Sequence, residues 1–232
     1  MQALEIDVLL LFNLTDHAAA PWLAMGFDVL SVDTQHPEFL SVTRTAEEGV
    51  GDHWRTNEPV TSRFVEYWKP KIVIAFPPCT DLAVSGAKHF AKKLKANPNV
   101  QKDAVELAKV ASLFGVPYAI ENPVSVLATQ WRKPDYYFHP YEYGDYLMPS
   151  ESEHPEYPEY IAAYDAYPKK TCLWTGNGFI MPPKMPVEPV EGYSKQHLKL
   201  GGKSMKTKNI RSATPRGFSW AVALHNAPLM RS

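Results

Sequence analysis

Two short segments of this chain carry groups able to do chemistry. The first is Phe76-Pro77-Pro78-Cys79, a thiol placed directly after the apolar run Lys71–Phe76. Two prolines fix the backbone just ahead of it, which suits a thiol held rigidly toward a pocket. The second is Glu121-Asn122-Pro123, a carboxylate and a carboxamide closing the run Tyr118–Ile120. A carboxylate is costly to bury without a partner, so its place at the end of a buried run points to use. A thiol and a carboxylate at neighbouring strand ends can serve as nucleophile and acid. A Cys–His hydrolase is the competing chemistry, with His17, His36, His53 and His89 as candidate bases, and spacing selects none of them. A zinc deaminase fits less well, because Leu82 stands where its Pro-Cys-x-x-Cys motif needs a second cysteine. The two cysteines, Cys79 and Cys172, lack the paired spacing of a zinc site, so no metal is expected.

The elements that must position these groups alternate between strand and helix. Ile6–Phe12 and Lys71–Phe76 are short, almost wholly apolar runs, the pattern of strands buried on both faces. Phe27–Val32 is a further strand ending on Asp33, and Tyr118–Ile120 another. Between them, Asp16–Met25 (stopped by Gly26), Ser62–Trp68 and Val100–Phe114 have helical composition. In the last of these, Val105, Leu107, Ala108, Ala111, Leu113 and Phe114 are available for the buried side. Such alternation predicts an α/β domain with a mostly parallel sheet and helices on both faces. Ligands bind beyond the carboxyl ends of strands in such sheets, so Phe12-Asn13, Asp33, Pro78-Cys79 and Glu121-Asn122 become the candidate site. A carboxylate closing the second strand, here Asp33, is the usual partner of ribose hydroxyls.

The second half is less regular. Tyr136–Tyr167 holds nine tyrosines with many acids and prolines, and reads as an ordered loop or insertion spanning about residues 136–168. Thr171–Trp174 is a short strand, with Cys172 a small buried residue on it. A basic stretch follows (Lys195, Lys199, Lys203, Lys206, Lys208, Arg211), and Pro215–Asn226 is a final helix. With 232 residues, a single domain with loop excursions is expected.

Composition narrows the function classes. Apolar residues make up 45% and charged residues 21%, which excludes a disordered chain, a collagen-like repeat and a coiled coil. No apolar run reaches about 18 residues, so no membrane span is expected. Met1 to Leu11 holds two acids and no base, unlike a signal peptide, and a cytoplasmic location follows as an expectation. The net charge of −1 means that a polyanion would have to meet a local basic patch.

Taken in order, Phe12, Asp33, Gly51-Asp52, Phe76-Pro77-Pro78-Cys79, Glu121-Asn122 and Thr214-Pro215 resemble the cytosine-5 DNA methyltransferase family, most of all its short bacteriophage-encoded versions. The likeness spans nearly the whole chain. It implies a Rossmann-like, S-adenosylmethionine-dependent fold over residues 1–232, with methyl transfer to C5 of cytosine in DNA. By the same resemblance Cys79 is the nucleophile on C6, and Glu121 the acid at N3 and the exocyclic amine. Asn122 holds the cysteine loop. Phe12 contacts the adenine of S-adenosylmethionine, Asp33 its ribose and Asp52 its amino group, with Asn13, Pro78 and Thr214 completing that wall. Lys88, Lys92 and Lys93, after the cysteine, would meet DNA phosphates. Lys203, Lys206 and Arg211 fall in a small target-reading segment, about residues 177–213. The same scaffold acting on RNA or a free pyrimidine nucleotide, or a silent nucleic-acid-binding protein, is the alternative.

The chain departs from the family in three places. The loop after Phe12 (Asn13-Leu14-Thr15-Asp16-His17) has no glycine, and Asn13 and Asp16 are the residues best able to adopt left-handed backbone there. Lys169-Lys170 stands where the family has a Gln-x-Arg-x-Arg motif; either lysine can steady the base or a phosphate and the sequence does not choose between them, with Lys170 taken as the candidate. Only about 38 residues separate Gly176 from Thr214, few for reading a sequence in the major groove.

Overall fold

The computed structural model describes residues 4–37, 40–44, 47–190, 200 and 204–230. It divides into two compact units, each drawn from three stretches of chain. The first holds the residues up to Leu14, Trp22–Tyr137 and Thr171–Phe179. The second holds Thr15–Pro21, Phe138–Lys170 and Ile180 onward. The tyrosine-rich insertion and the final helix therefore build a unit together, where the sequence suggested loop excursions from one domain.

The first unit is built on an eight-stranded sheet. Its order is β3 (Ser41–Thr43), β4 (His53–Thr56), β2 (Val29–Val32), β1 (Leu4–Leu11), β5 (Trp68–Ala75), β6 (Tyr118–Pro123), β8 (Thr171–Gly176) and β7 (Tyr136–Phe138). The strands from β4 to β6 run parallel, while β3 and β8 run antiparallel to their neighbours β4 and β6. Leu9, Leu11, Leu30, Val73, Ile120 and Trp174 are at most 1% exposed, as strands covered on both faces require. Strand β5 starts before Pro70, since the residue preceding a proline is driven to extended backbone. Helix α1 (Ala20–Ala24) is shorter than the sequence suggested, and α2 (Ser62–Tyr67) ends one residue early for the same reason that β5 starts early.

Helix α3 (Phe90–Ala96) follows the cysteine loop, α4 (Val100–Lys109) precedes β6, and α5 (Leu127–Gln130) follows it. After α4 the chain tightens into a 3₁₀ turn over Val110–Phe114. Three residues per turn instead of 3.6 rotates the later side chains off the helical stripe. Val105, Ala108 and Ala111 are buried as the periodicity predicts and Leu113 in the turn is exposed, while Leu107 is exposed already within α4, on the side opposite Val105. No helix among the described residues is long and apolar enough to cross a membrane.

The second unit is held by aromatic packing around α7 (Arg216–Met230). Phe138 stacks on Phe218 at 4.0 Å, and Tyr143 meets the same ring edge-on at 5.0 Å. Gly217 lies against the Tyr143 carbonyl so closely that a Cβ would overlap it. Asp165, 1% exposed, caps α7 by accepting the Arg216 and Gly217 amides at 2.6 and 3.2 Å. A shorter helix, α6 (Met205–Ser212), is capped by the Ser204 hydroxyl, which accepts the Thr207 amide at 3.2 Å.

Candidate functional site

Parallel pairing brings one set of strand ends level. Leu11 pairs with Val32 and with Ala75, Val32 with Thr56, and Ala75 with Ile120. The next residue on each strand therefore falls on one line along the carboxyl edge: Asn57, Asp33, Phe12, Phe76 and Glu121. Strand order reverses between β1 and β5, and this reversal is where open α/β sheets bind their ligands. Phe12-Asn13 and Phe76-Pro77-Pro78-Cys79 leave the sheet on either side of it.

On the β1 side, Phe12 has φ 58, left-handed backbone that a bulky residue rarely adopts. The unusual conformation thus falls on Phe12 itself, and not on Asn13 or Asp16. Asn13 is 2% exposed; its amide donates to the Val32 carbonyl at 3.1 Å, and its Oδ1 is buried without a hydrogen-bond partner. The Asp33 carboxylate accepts the Gln35 amide at 2.9 Å, and its carbonyl accepts the His36 amide at 3.0 Å. His36, buried, returns its Nε2 to donate to the Asn13 carbonyl at 2.9 Å.

On the β5 side, the cysteine loop is tied at both ends to the segment that carries Glu121. Asn122, 1% exposed, donates from Nδ2 to the Pro77 carbonyl at 3.0 Å. The Cys79 carbonyl accepts the Leu82 and Ala83 amides, which makes a tight turn. Beyond it, the Val84 amide donates to the Val124 carbonyl at 3.0 Å, and the Val126 amide to the Leu82 carbonyl at 2.9 Å. Pro77 is buried, Pro78 and Cys79 are exposed, and Glu121 is half-buried. Cys172 lies in the core.

Other predicted residues fall elsewhere. Asp52 precedes β4 and so lies at the amino edge of the sheet, roughly 16 Å along the strand from Asn57 at about 3.3 Å per residue. There its amide donates to the Asp28 carboxylate at 2.8 Å, and Gly51 beside it lies against the Phe27 carbonyl. His53 opens β4 at the same edge, its Nε2 2.9 Å from the Ser31 hydroxyl, well away from the cysteine loop. Lys93 donates to the Thr80 carbonyl at 2.8 Å and pairs with Asp81 at 2.6 Å, binding the cysteine loop from within. Lys88 and Lys92 are exposed. Lys170, Thr214, Lys206 and Arg211 belong to the second unit. Thr214 is buried there, and Arg211 donates to the Leu200 carbonyl at 2.8 Å. Lys203 lies outside the described residues.

The second unit contains a cluster of ionisable groups of which the sequence singled out only His17, as a candidate base for the thiol. His17 meets His154 edge-on at 4.7 Å and lies 3.3 Å from the Glu156 carboxylate. Arg216 donates to the carbonyls of Glu151, Ser152 and Glu153, with the Asp165 carboxylate 3.7 Å away. Burial lowers the pKa of His17 and takes that of His154 down to about 3, and it raises that of Asp165. His17 and Arg216 also line a cavity of about 320 Å³ with Trp220 and Leu147. These residues come from three distant stretches of chain, which no local pattern could link.

Comparison with known proteins finds no family model that matches this chain and no curated protein sequence that matches it.

Proposed function

We propose that the carboxyl edge of the first unit is a methyltransferase site that modifies C5 of cytosine in DNA with S-adenosylmethionine. The observation that carries this reading is the alignment of Asp33, Phe12 and Glu121 across the point where strand order reverses, with Asn122 tethering the cysteine loop beside them.

The residues on the β1 side fit the cofactor. The Asp33 carboxylate, fixed by the Gln35 amide, suits a pair of ribose hydroxyls. The orphaned Oδ1 of Asn13 is an acceptor in want of a donor, which an amino group would supply. Asn57 stands level with Asp33 and takes the adenine-facing role that the resemblance gave to Asp52. When bound, S-adenosylmethionine supplies an electrophilic methyl group.

On the β5 side, Cys79 adds as thiolate to C6 of the base. The ring electrons move toward N3, where protonated Glu121 donates its proton, leaving C5 nucleophilic. After C5 is methylated, a water or hydroxide takes the C5 proton, N3 returns its proton to the Glu121 carboxylate, the C6–S bond breaks and Cys79 leaves as thiolate. Asn122 holds the Pro77 carbonyl, so the thiol's approach is set before substrate arrives. A cytosine in a duplex must first be flipped out, at a few kcal/mol.

The test is calorimetric titration with S-adenosylhomocysteine, followed by methyl transfer to duplex DNA, RNA and dCMP compared side by side. Binding at micromolar levels and transfer to DNA are expected. Cys79→Ser should keep the binding and lose the transfer. A Cys79→Ser protein with full activity, or a folded wild-type protein that never binds, overturns the reading, and transfer to dCMP or RNA alone moves it to those substrates.

A further inference from the structure

We propose that His36 is a positioning residue, the device by which this chain shapes its ligand turn without glycine. The inference rests on the methyltransferase reading for the ligand's identity but not for the mechanics. Close backbone approach to a ligand usually relies on glycine, which adopts positive φ at no steric cost. Here the positive φ falls on Phe12 (φ 58), and no glycine follows until Gly26. Something must compensate, because strained backbone persists only where its surroundings over-determine it.

The compensation is visible in one side chain. His36 is buried, and its Nε2 donates to the Asn13 carbonyl at 2.9 Å. Its own amide is held by the Asp33 carbonyl at 3.0 Å, and the Asn13 amide by the Val32 carbonyl at 3.1 Å. The peptide after Phe12 is thus gripped at its next amide by β2 and at its next carbonyl by the turn that follows β2. A relaxed Phe12 would rotate the Asn13 peptide away from both. The same residue touches both groups assigned to the cofactor, holding Asn13 through its ring and Asp33 through its backbone amide, so the ligand meets a turn already set.

A double-mutant cycle on stability tests the mechanics. Phe12→Ala and Phe12→Gly are each made with His36 and with His36→Leu, and unfolding midpoints in urea are compared. Alanine is strained at positive φ and glycine is not. With His36 in place, glycine at position 12 should match or exceed alanine. With His36→Leu the turn relaxes and alanine should become the better residue. An alanine–glycine difference that ignores His36 overturns the proposal. His36→Gln, which keeps a donor near the Nε2 position, should bind S-adenosylhomocysteine within about threefold of wild type, and His36→Leu about tenfold more weakly. Equal affinity of the Leu and wild-type proteins overturns the positioning role. If wild type binds no cofactor, the methyltransferase reading fails, while the stability cycle still decides whether His36 sets the turn.

Discussion

Acidification should destabilise the second unit through His154, and the size of the effect follows from its hydrogen bonds. Its Nδ1 accepts the amides of Glu156 and Tyr157 at 3.2 and 3.0 Å, so the neutral ring carries its hydrogen on Nε2. A second proton must go to Nδ1 and would displace both amides. The ring is 2% exposed, and burial, reinforced by neighbouring His17 and Arg216, holds its pKa at about 3 against 6.5 for a free imidazole. The unfolded chain therefore binds a proton below pH 6.5 that the folded chain refuses until about pH 3. Stability is fully present above the unfolded value and is lost as pH falls through this window, at about 1.4 kcal/mol per unit. Between pH 7 and pH 5 the loss from this residue is about 2 kcal/mol. In His154→Asn the side-chain oxygen keeps an acceptor at the same position and cannot titrate. Urea midpoints followed by tryptophan fluorescence at each pH give the comparison. The variant should start less stable, having lost the ring contacts with His17 and Tyr157, and should lose about 2 kcal/mol less than wild type on acidification. Parallel losses in the two proteins would refute the reasoning.

Asp165→Asn should lower stability by about 3–5 kcal/mol, since it leaves the buried guanidinium of Arg216 uncompensated, and a thermal melt would register it. A change under about 1 kcal/mol would show that the three backbone carbonyls alone satisfy Arg216. Asn122→Ala should cost about 1–3 kcal/mol by orphaning the buried Pro77 carbonyl. It should also speed alkylation of exposed Cys79 by iodoacetamide while buried Cys172 stays unlabelled, and an unchanged Cys79 rate would mean that the loop is held by its other bonds.

The strands that build the candidate site were legible because each is an apolar run closed by a polar or turn-forming residue. Ile6–Phe12, Lys71–Phe76 and Tyr118–Ile120, within or overlapping those strands, have this form, and burial on both faces of a parallel sheet demands it. Strand β4 was not legible: His-Trp-Arg-Thr has neither alternation nor an apolar run, and only its pairing with β2 and β3 makes it a strand. The resemblance alone brought Asp52 to the cofactor, and without β4 in view nothing marked it as lying at the amino edge, because strand direction decides which end of a segment faces the ligand. The second unit was hidden for a different reason. Its 3₁₀ turns, Pro140–Tyr146, Pro149–Glu151 and Ala163–Asp165, leave no 3.6-residue stripe, and its core joins residues far apart in sequence, as Phe138 and Phe218 do. Likewise His17, His154 and Arg216 each look unremarkable locally, and their perturbed titration arises only from the company they keep.

Because each unit is threaded through the other's sequence, neither can be finished from a contiguous stretch of nascent chain. Translation delivers β1 to β6 first, but the sheet lacks β8 until residues Thr171–Gly176 have left the ribosome. By then Phe138–Lys170 has been made and is still without α7, the helix against which Phe138 and Tyr143 pack. Those aromatic rings wait exposed until the last helix is translated. Such late, long-range closure slows folding and leaves the growing chain open to aggregation and to chaperone capture. It also means that one cut between the units releases neither, so a fragment carrying only the candidate site must be made by rejoining its three stretches.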